Sequence, residues 1–497
     1  MKQLSRQYGM PALIAVFIMG MYVLTLAPGI TWANWGSDGG DYLSALATGG
    51  IPHPTGYPTY LAVAKMVTML LPFSSWAVRG NLFSALSMLA ASLCVCFLIS
   101  QTLRGSHYRI LAALTGSLVF AFAPLVWSQA VVTEVYGLHA FFVGLLLCLL
   151  LVPKGVANNR IFLVGLILGL GLGNHVTLAF MVPAFLLIRL GQDEVSAKAS
   201  GNSLVRQLNI WPKLIGVVLG VVTAYASLLL YVHSAAPVRW LNPVSPERFW
   251  ELISARMYQF YWRFPLESEA LLERLKIVLG ALYEQFAFPG IFLVGCGLLV
   301  LLLEQRKPVT AVTGWVTIAS VLFTMGYQTE DAHVYLIPAV LCLAVWAAFG
   351  IYGLAKKFSR SRLLSLSAGL LLVILLGQQM VKSFRLADAS QDYRAIVYGE
   401  RVMQEAPEGA MIFTHQDKET FSLWYFHYAE QQRPDLAVIV VPLLDYEWYL
   451  EVLSETYPNI ILPASGDEVT RLSLETLNPR PSCTTFLLSL SVLDCDL

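Results

Sequence analysis

Two aspartates in the stretch WANWGSDGGDYLSALATGG have the side-chain type and spacing for acid–base chemistry. Asp38 and Asp41 lie three residues apart, beside two glycines, directly after an apolar segment. A carboxylate close to hydrocarbon costs desolvation energy and therefore needs a reason to be there. It could take the proton from an attacking hydroxyl or amide group as a general base. Alternatively, Asp41 caps a helix that begins at Tyr42, and these residues alone leave both interpretations open.

Two further side chains near this pair could contact an anionic group. His53 lies in IPHPTGYP, where three prolines stiffen the chain and prevent a helix. It could be held against the carboxylates or against a donor phosphate, although a lone loop histidine is more often simply solvated. Arg79 begins a later apolar run and could neutralise a phosphate leaving group. It could equally extend to lipid headgroups.

Three later polar turns between apolar runs supply the remaining candidates. These are Glu134 and His139 in SQAVVTEVYGLHA, Asn174 and His175 in GLGNHVT, and Asp331 and His333 in YQTEDAHVYLIP. Each turn alone is typical of a helix cap or an interhelical hydrogen bond. If all three lie on the same side of a membrane as Asp38, however, they can line one cavity with it.

The composition is that of a membrane protein. Of the 497 residues, 57% are hydrophobic and 13% are charged, whereas a soluble chain carries about 25% charged residues. The net charge is zero, which argues against a nucleic-acid partner because such a partner requires a clustered basic surface. Because so few residues are charged, lipid must be the solvent for most of the chain.

Apolar stretches long enough to cross a bilayer predict about eleven transmembrane helices. They lie near 11–28, 80–102, 108–124, 137–152, 160–173, 175–191, 212–233, 276–303, 309–327, 333–354 and 363–383. A further apolar run at 57–71 is too short to cross comfortably, and we predict that it lies along the membrane surface.

The distribution of charge predicts the orientation. The short loops at 124–136, 172–176 and 327–333 contain no Lys or Arg, whereas the loops on the opposite side are rich in both. By the positive-inside rule the N-terminus is cytoplasmic, and Asp38, the polar turns and residue 386 onward are extracytoplasmic. The first apolar segment is then a retained signal anchor. The loop at 234–275 mixes charges with aromatics and is expected either to cover a lipid-facing cleft or to be a solvated loop.

From residue 386 the composition becomes that of a soluble domain. MIFTH and LAVIVVP predict buried strands, each followed by a predicted helix, which favours a small α/β domain with a parallel sheet. Cys483 and Cys495 could form a disulfide bond in an oxidising compartment. Asp417, near the end of the first strand, is a candidate contact for an acceptor glycan, although a purely structural domain is the simpler alternative.

These observations predict an α-helical polytopic membrane protein with a small C-terminal α/β domain. Residues 1–385 would form the transmembrane domain, with an acidic first outer loop at 29–79. Residues 386–497 would form the soluble extracytoplasmic domain.

The order of these parts resembles that of the GT-C superfamily of polyprenol-dependent glycosyltransferases. Within it, the chain looks like a bacterial membrane-protein family related to a eukaryotic transmembrane protein O-mannosyltransferase. The matching segments include TLAPGITWANWGSDGGDYLSA, GIPHPTGYPTYL, VRGNLFSAL, GLGNHVT and DAHVYLIP. The resemblance implies that Asp38 is the catalytic base. That family usually has Gly-Glu where this chain has Gly40 and Asp41, so the supporting role of Asp41 stays open.

The resemblance also implies a reaction. It is an inverting transfer of a sugar, with mannose as a candidate, from a polyprenyl-phosphate donor to a hydroxyl group on a protein or cell-surface glycan. Asp38 would activate the acceptor, and Arg79 with His53 or His139 would stabilise the leaving phosphate. The expected partners are the lipid-linked sugar, the acceptor and membrane lipid, in a bacterial plasma membrane. No cofactor is expected, and the sequence does not require a divalent metal.

Two other classes of function fit a polytopic membrane protein. A transporter or flippase for lipid or sugar would place charged residues at mid-membrane on broken helices and would carry an internal repeat. Here the polar clusters gather at one face, and no repeat is evident. A non-catalytic cell-envelope assembly protein that presents the C-terminal domain would need no acidic first loop. Binding of a lipid-linked sugar would distinguish it from an enzyme.

Overall fold

Helices make up most of the chain in the computed structural model, which describes residues 2–71, 74–152, 158–187, 211–232, 235–359, 376–464, 468–487 and 492–496. The helices of the first half are α1 (Lys2–Leu24), α2 (Gly39–Thr48), α3 (Pro58–Leu70), α4 (Trp76–Thr102), α5 (Arg109–Ala121), α6 (Pro124–Ala130), α7 (Tyr136–Leu151), α8 (Asn158–Leu172), α9 (Met181–Leu187), α10 (Trp211–Ala226) and α11 (Leu229–Val232). Those of the second half are α12 (Pro246–Ile253), α13 (Ser268–Leu303), α14 (Lys307–Gly326), α15 (Ile337–Phe358), α16 (376–387), α17 (Arg394–Glu405), α18 (Asp417–Trp424), α19 (Glu447–Thr456) and α20 (Arg471–Leu477).

Several helices have the length and composition of membrane spans. In the described ranges, α4, α13, α14 and the segment Ala332–Phe358 qualify individually, and α5 with α6 qualifies as a pair bent by 68°. Shorter apolar helices cover Gly9–Leu24, Tyr136–Leu151, Ile161–Leu172, Val176–Leu186 and Trp211–Ala226. Every predicted span from 11–28 to 333–354 therefore coincides with an apolar helix. The last, 363–383, lies largely outside the described residues, and the number of crossings stays a prediction.

The short apolar run at 57–71 forms α3, which has 13 residues. At 1.5 Å per residue such a helix is about 20 Å long, which is less than the roughly 30 Å of a bilayer core. Tyr60 and Leu61 are buried, whereas Met66, Met69 and Leu70 are exposed. This exposed apolar edge suits contact with lipid, and the position of α3 at the membrane surface stays a prediction.

Two helix breaks meet beside the first span. Pro124 begins α6 and Ala287 interrupts α13 with a positive φ of 49°, two residues before Pro289. The start of a helix leaves backbone N–H groups without intrahelical partners, and lipid cannot supply them. Gln285 resolves this locally, because its Oε1 accepts a hydrogen bond of 2.8 Å from the backbone N–H of Leu125.

The four-stranded sheet of the C-terminal segment has the order β2-β1-β3-β4. The strands are β1 (Met411–Thr414), β2 (Ala437–Val440), β3 (Ser482–Thr485) and β4 (Leu493–Asp496). The predicted parallel pairing of the first two strands is confirmed, β3 also runs parallel to β1, and β4 is antiparallel to β3. Cys483 and Cys495 lie opposite each other across β3 and β4 and are joined by a disulfide bond.

The C-terminal segment packs directly on the first loop (residues 29–79). A Cβ atom added to Gly40 in α2 would lie 2.2 Å from the backbone oxygen of Phe421 in α18, so the two helices approach as closely as a glycine permits. The Nε1 atom of Trp32 donates to the hydroxyl oxygen of Ser422 at 3.1 Å. The Asp392 carboxylate accepts a hydrogen bond from the backbone N–H of Ala33 at 2.7 Å. The predicted domain boundary at 385/386 falls inside α16 and stays a prediction.

The long loop (residues 235–267) also packs on the first loop. Its backbone pairs with Ile51, which donates to the Val238 oxygen at 2.8 Å and accepts from the Trp240 N–H at 3.0 Å. On its other side, the Arg248 guanidinium forms an ion pair of 2.5 Å with Glu451 of α19. The long loop therefore bridges the first loop and the C-terminal segment, and all three can contribute to one site.

Candidate active site

A cavity of about 760 Å³ lies where the first loop, the long loop, the turn at 327–335 and the start of α18 meet. Its walls include Asp38 and His53 of the first loop, Tyr258 of the long loop, Asp331 of the turn and Asp417 of α18. This volume lies within the range of about 300–1,000 Å³ that is typical of small-molecule sites.

Asp38 reaches the cavity from a strained turn. It ends the 3₁₀ turn Ala33–Asp38, in which Asn34 and Trp35 have positive φ values of 56° and 63°. Hydrogen bonds hold this turn, because the Asn34 oxygen accepts from Gln129 and its amide donates to the Ala387 oxygen, each at 2.8 Å. Strain of this kind persists only where the surrounding structure enforces it. The Asp38 side chain keeps 36% of its surface accessible.

Asp41 lies behind the cavity and holds His53. Its side chain is completely buried. Its Oδ2 atom lies 2.7 Å from Nδ1 of His53 and accepts from the His53 backbone N–H at 2.9 Å. Its Oδ1 atom accepts from Nε1 of Trp240 at 3.0 Å. The helix begins at Gly39, so Asp41 lies in its first turn and the alternative interpretation of Asp41 as its N-cap is wrong.

Anchored in this way, the imidazole of His53 points its Nε2 atom towards Asp38. That nitrogen is 3.8 Å from Oδ2 of Asp38 and 3.2 Å from the hydroxyl oxygen of Tyr57. Its ring also stacks on that of Phe421, with centroids 6.5 Å apart. Asp41, His53 and Asp38 therefore form a carboxylate–imidazole–carboxylate array that ends at the cavity.

The protonation equilibria of this array are shifted. Burial raises the pKa of Asp38 to about 7, against the lowering effect of His53 and with further raising contributions from Asp417 and Asp331. Burial opposes the charging of His53, but the hydrogen bond that its ring donates to Asp41 and the charge of Asp38 raise its pKa overall. A carboxyl group that titrates near neutral pH is well matched to accepting a proton from an acceptor.

Apart from His53 and His175, the titratable side chains with a charged form near neutral pH in the cavity wall are acidic. Asp331 and Asp417 face it together with Asp38, and burial raises the pKa of Asp417 while His53 lowers it. No Lys or Arg of the described residues lines it. Positive charge for a phosphate group would therefore have to come from His53 or from donors other than basic side chains.

Arg79 lies outside the cavity. Its guanidinium stacks 4.3 Å from the ring centroid of Trp76 and donates to the backbone oxygens of Ser75 and Thr68, both at 3.3 Å. The structure therefore brings His53, but not Arg79, together with Asp38.

Of the predicted residues His139, Asn174 and His175, one lines the cavity and two lie behind its wall. His175 lines the cavity and its Nδ1 atom is 2.8 Å from the hydroxyl oxygen of Thr177. His139 is buried behind it, with ring centroids 5.1 Å apart. Asn174 is also buried and donates to the Val135 oxygen at 3.4 Å. His139 and Asn174 therefore support the wall from behind.

Glu134 and His333 lie outside the cavity lining. Glu134 is buried, and its backbone N–H donates to the Ser84 hydroxyl oxygen at 3.1 Å. Among the described residues, its Oε2 atom has no hydrogen-bond partner. The His333 ring packs against Trp35, with centroids 6.0 Å apart.

Comparisons with known proteins identify the fold. The family model described as "Protein O-mannosyl-transferase TMEM260 N-terminal domain" matches residues 38–197, so the match begins at Asp38. The model "TMEM260-associated domain 2" matches residues 395–463. A crystal structure of ArnT from Cupriavidus metallidurans bound to undecaprenyl phosphate superposes with a TM-score of 0.58, at 13% identity over 97% of this chain and 93% of that one. The same enzyme in the apo state gives the same values. This chain has the GT-C fold.

Curated relatives of this GT-C protein carry the name protein O-mannosyl-transferase TMEM260. The mouse protein is 25% identical over 492 residues, which cover 90% of this chain and 65% of the relative. The Dictyostelium discoideum protein is 21% identical over 503 residues, which cover 90% of this chain and 58% of the relative. The match thus covers less than two thirds of the length of either curated relative. Together with its apolar helices, the fold establishes an integral membrane protein.

The sequence analysis did not locate the aromatic wall of the cavity. It consists of Trp35, Tyr42, Tyr57, Tyr136, Trp240, Tyr258, Tyr261, Trp262, Phe323, Tyr327, Tyr335 and Phe421. The available signal was the aromatic content of the long loop, which includes Trp240 and Tyr258 and was interpreted as either a cover for a lipid-facing cleft or a solvated loop. Across the described part of the chain, no group of three His, Cys, Asp or Glu side chains is placed to hold a metal ion.

Proposed function

We propose that this protein transfers a sugar, with mannose as the first candidate, from a polyprenyl-phosphate donor to a hydroxyl group of a protein acceptor. The observation that carries the proposal is the carboxyl group of Asp38, which faces the cavity beside His53. Burial raises the pKa of this group to about 7. The names of the TMEM260 relatives and of the ArnT complex with undecaprenyl phosphate support the classes of donor and acceptor.

The chemical step is a single inverting displacement at the anomeric carbon. The acceptor oxygen forms the new glycosidic bond while its proton passes to Asp38, and the bond from the anomeric carbon to the phosphate oxygen breaks. The electron pair of that bond leaves with the polyprenyl phosphate. Positioning the acceptor hydroxyl against Asp38 supplies the general-base contribution, typically about 10²–10⁴-fold in rate.

We propose that His53 assists the base rather than the leaving group. In an inverting displacement the base and the departing phosphate lie on opposite faces of the sugar. Because Nε2 of His53 is 3.8 Å from Asp38, its charge acts first on that carboxyl and favours its ionised form. Stabilisation of the phosphate then falls to hydroxyl donors in the same cavity, such as Tyr258 and Tyr335.

The acceptor is expected to approach from the C-terminal segment. Asp417 and Phe421 are the two residues of α18 in the cavity wall. A carboxylate and an aromatic ring beside the base suit a contact with the acceptor chain, whereas the donor lipid must enter from the membrane. The disulfide between Cys483 and Cys495 supports an oxidising, extracytoplasmic location for this segment and for the site. We propose the plasma membrane of a bacterium, with a cytoplasmic N-terminus.

The test is transfer of labelled mannose from polyprenyl-phosphate mannose to a hydroxyl-bearing peptide by the purified full-length protein. Asp38→Asn should reduce turnover at least 100-fold, because it removes the proton acceptor but little volume. Asp445→Asn is the matched control, since Asp445 is exposed and outside the cavity. Undiminished transfer by a folded Asp38→Asn protein would exclude this residue as the base. Binding of the donor without transfer to any acceptor would instead favour a non-catalytic role.

A further inference from the structure

A second pocket, of about 350 Å³, lies at the end of the helices opposite to the cavity. α15 connects the two sites, because it follows the cavity residue Tyr335 and ends shortly after Lys356, which lines the second pocket. Its 22 residues span about 33 Å at 1.5 Å per residue, which is close to the thickness of a bilayer core. The second pocket therefore faces the opposite membrane surface.

The second pocket is formed by two connections between helices and the end of a third helical element. The link from α4 to α5 contributes residues 103–108, the link from α13 to α14 contributes Arg306, and the last turns of α15 contribute Tyr352 and Lys356. Arg306 also ties two of these parts together, since its Nη1 atom donates to the Thr102 oxygen at 3.1 Å. The concave shape is thus a consequence of the packing of the helix ends.

Its charge is strongly positive. Arg104, Arg306 and Lys356 line it, and the carboxylate in contact with them is that of Glu304. Glu304 binds Arg306 at 3.3 Å and Lys356 at 3.0 Å, and it also accepts from the Tyr352 hydroxyl group at 3.0 Å. Within the described ranges Arg104 forms no ion pair and is exposed. Three cations face one carboxylate, so the pocket carries uncompensated positive charge.

The surroundings of the pocket are apolar and exposed. Leu302 and Leu303, just before Glu304, are 58% and 74% exposed, and Ile110 and Leu111 on the first turn of α5 are 40% and 43% exposed. In a bilayer these side chains contact acyl chains. A ligand with a phosphate at its polar end and hydrocarbon at the other would satisfy both parts of this surface.

We propose that this second pocket binds the phosphate of an anionic membrane phospholipid. Basic pockets between transmembrane helices are known to bind acidic headgroups, and the charge of Arg104 in particular awaits a partner. The positive-inside rule explains an excess of Lys and Arg on this side. It does not explain why three of them converge on one pocket, together with the hydroxyl groups of Ser106 and Tyr108. The site is independent of the proposed sugar transfer.

The test is thermal unfolding of the full-length protein in neutral detergent during titration with phosphatidylglycerol, phosphatidylcholine or inorganic phosphate. The wild type should be stabilised by phosphatidylglycerol but not by phosphatidylcholine or inorganic phosphate. Arg104→Gln with Lys356→Gln should weaken that response at least tenfold in lipid concentration. Arg109→Gln with Lys357→Gln removes the same charge from neighbouring positions outside the pocket lining and should leave the response unchanged.

Other outcomes would overturn the proposal. If both double variants weakened the response to phosphatidylglycerol equally, the lipid would be attracted to the basic surface in general and not to this pocket. Equal stabilisation by inorganic phosphate would mean a small-anion site without a lipid requirement. Arg104→Gln alone guards against misfolding, because Arg104 forms no ion pair in the described structure that its loss would break. A wild-type response in that folded variant would also exclude Arg104 as a ligand.

Discussion

The imidazole of His53 is held by the buried carboxylate of Asp41, with 2.7 Å between Nδ1 and Oδ2. This contact fixes which nitrogen faces Asp38 and favours the charged form of the ring. In the proposed reaction, Asp41 therefore acts through His53 as a positioning residue, and Asp38 is the residue that we expect to meet the substrate. The two aspartates of the first loop have different tasks because one is enclosed and the other faces the cavity.

We expect Asp41→Asn to lower kcat about 10-fold to 100-fold with little change in the KM for donor. The amide removes the charge that raises the pKa of His53 and leaves polar groups imperfectly paired, at a cost of about 1–3 kcal/mol in the free energy of unfolding. Trp240→Phe is the comparison, because it removes the hydrogen bond to Oδ1 but leaves the charge of Asp41 in place. If Asp41 had only a structural role, both variants would yield less folded protein. The folded protein that remained would then keep the pH profile of the wild type.

The pH dependence of kcat/KM should show an acidic limb with an apparent pKa near 7. The base must be ionised, and burial raises the pKa of Asp38 to about 7, so activity rises as pH increases through that value. His53 lowers the pKa of Asp38, and His53→Gln should therefore move the limb to higher pH. The measurement is kcat/KM at constant ionic strength between pH 5 and pH 9. A limb that stays below pH 5 in the wild type would contradict the assignment.

Gly40→Ala tests whether the C-terminal segment must dock on α2 for activity. The added Cβ atom would lie 2.2 Å from the Phe421 oxygen, and backbone cannot yield as a flexible side chain can. We expect displacement of α18, a loss of about 1–3 kcal/mol in stability and a large fall in transfer. Gly280→Ala is the control, since its Cβ atom would meet nothing within 4 Å. Equal thermal stability and activity in both variants would show that this contact is dispensable.

The sequence predicted the acidic side of this site better than its walls. Asp38, His53, His175 and Asp331 could be grouped because loop charge assigns their turns to one side of the membrane. Trp240 could not be found in this way, since its contact with Asp41 joins residues 199 positions apart and depends on how the long loop packs. A local sequence pattern contains no information on a contact between residues so far apart in the chain.

Two other features show the same limit. Arg79 was expected to face the donor phosphate, but its guanidinium contacts the Trp76 ring and two backbone oxygens outside the cavity. The strand β3 has the sequence SCTT, which lacks the apolar residues that identified β1 and β2. It is a strand because it pairs with β1 on one side and with β4, through a disulfide bond, on the other.

The last prediction concerns the contribution of α18 to acceptor binding. If Asp417 contacts the acceptor, Asp417→Asn should raise the KM for a peptide acceptor several-fold and leave the KM for donor unchanged. Because the charge of Asp417 raises the pKa of Asp38, the same variant should also move the acidic limb of kcat/KM to lower pH. Asp445→Asn, exposed on the same segment, should change neither quantity. A shifted limb with an unchanged acceptor KM would keep Asp417 in the electrostatics of the site but remove it from acceptor recognition, and an increase in the donor KM alone would place it on the donor side.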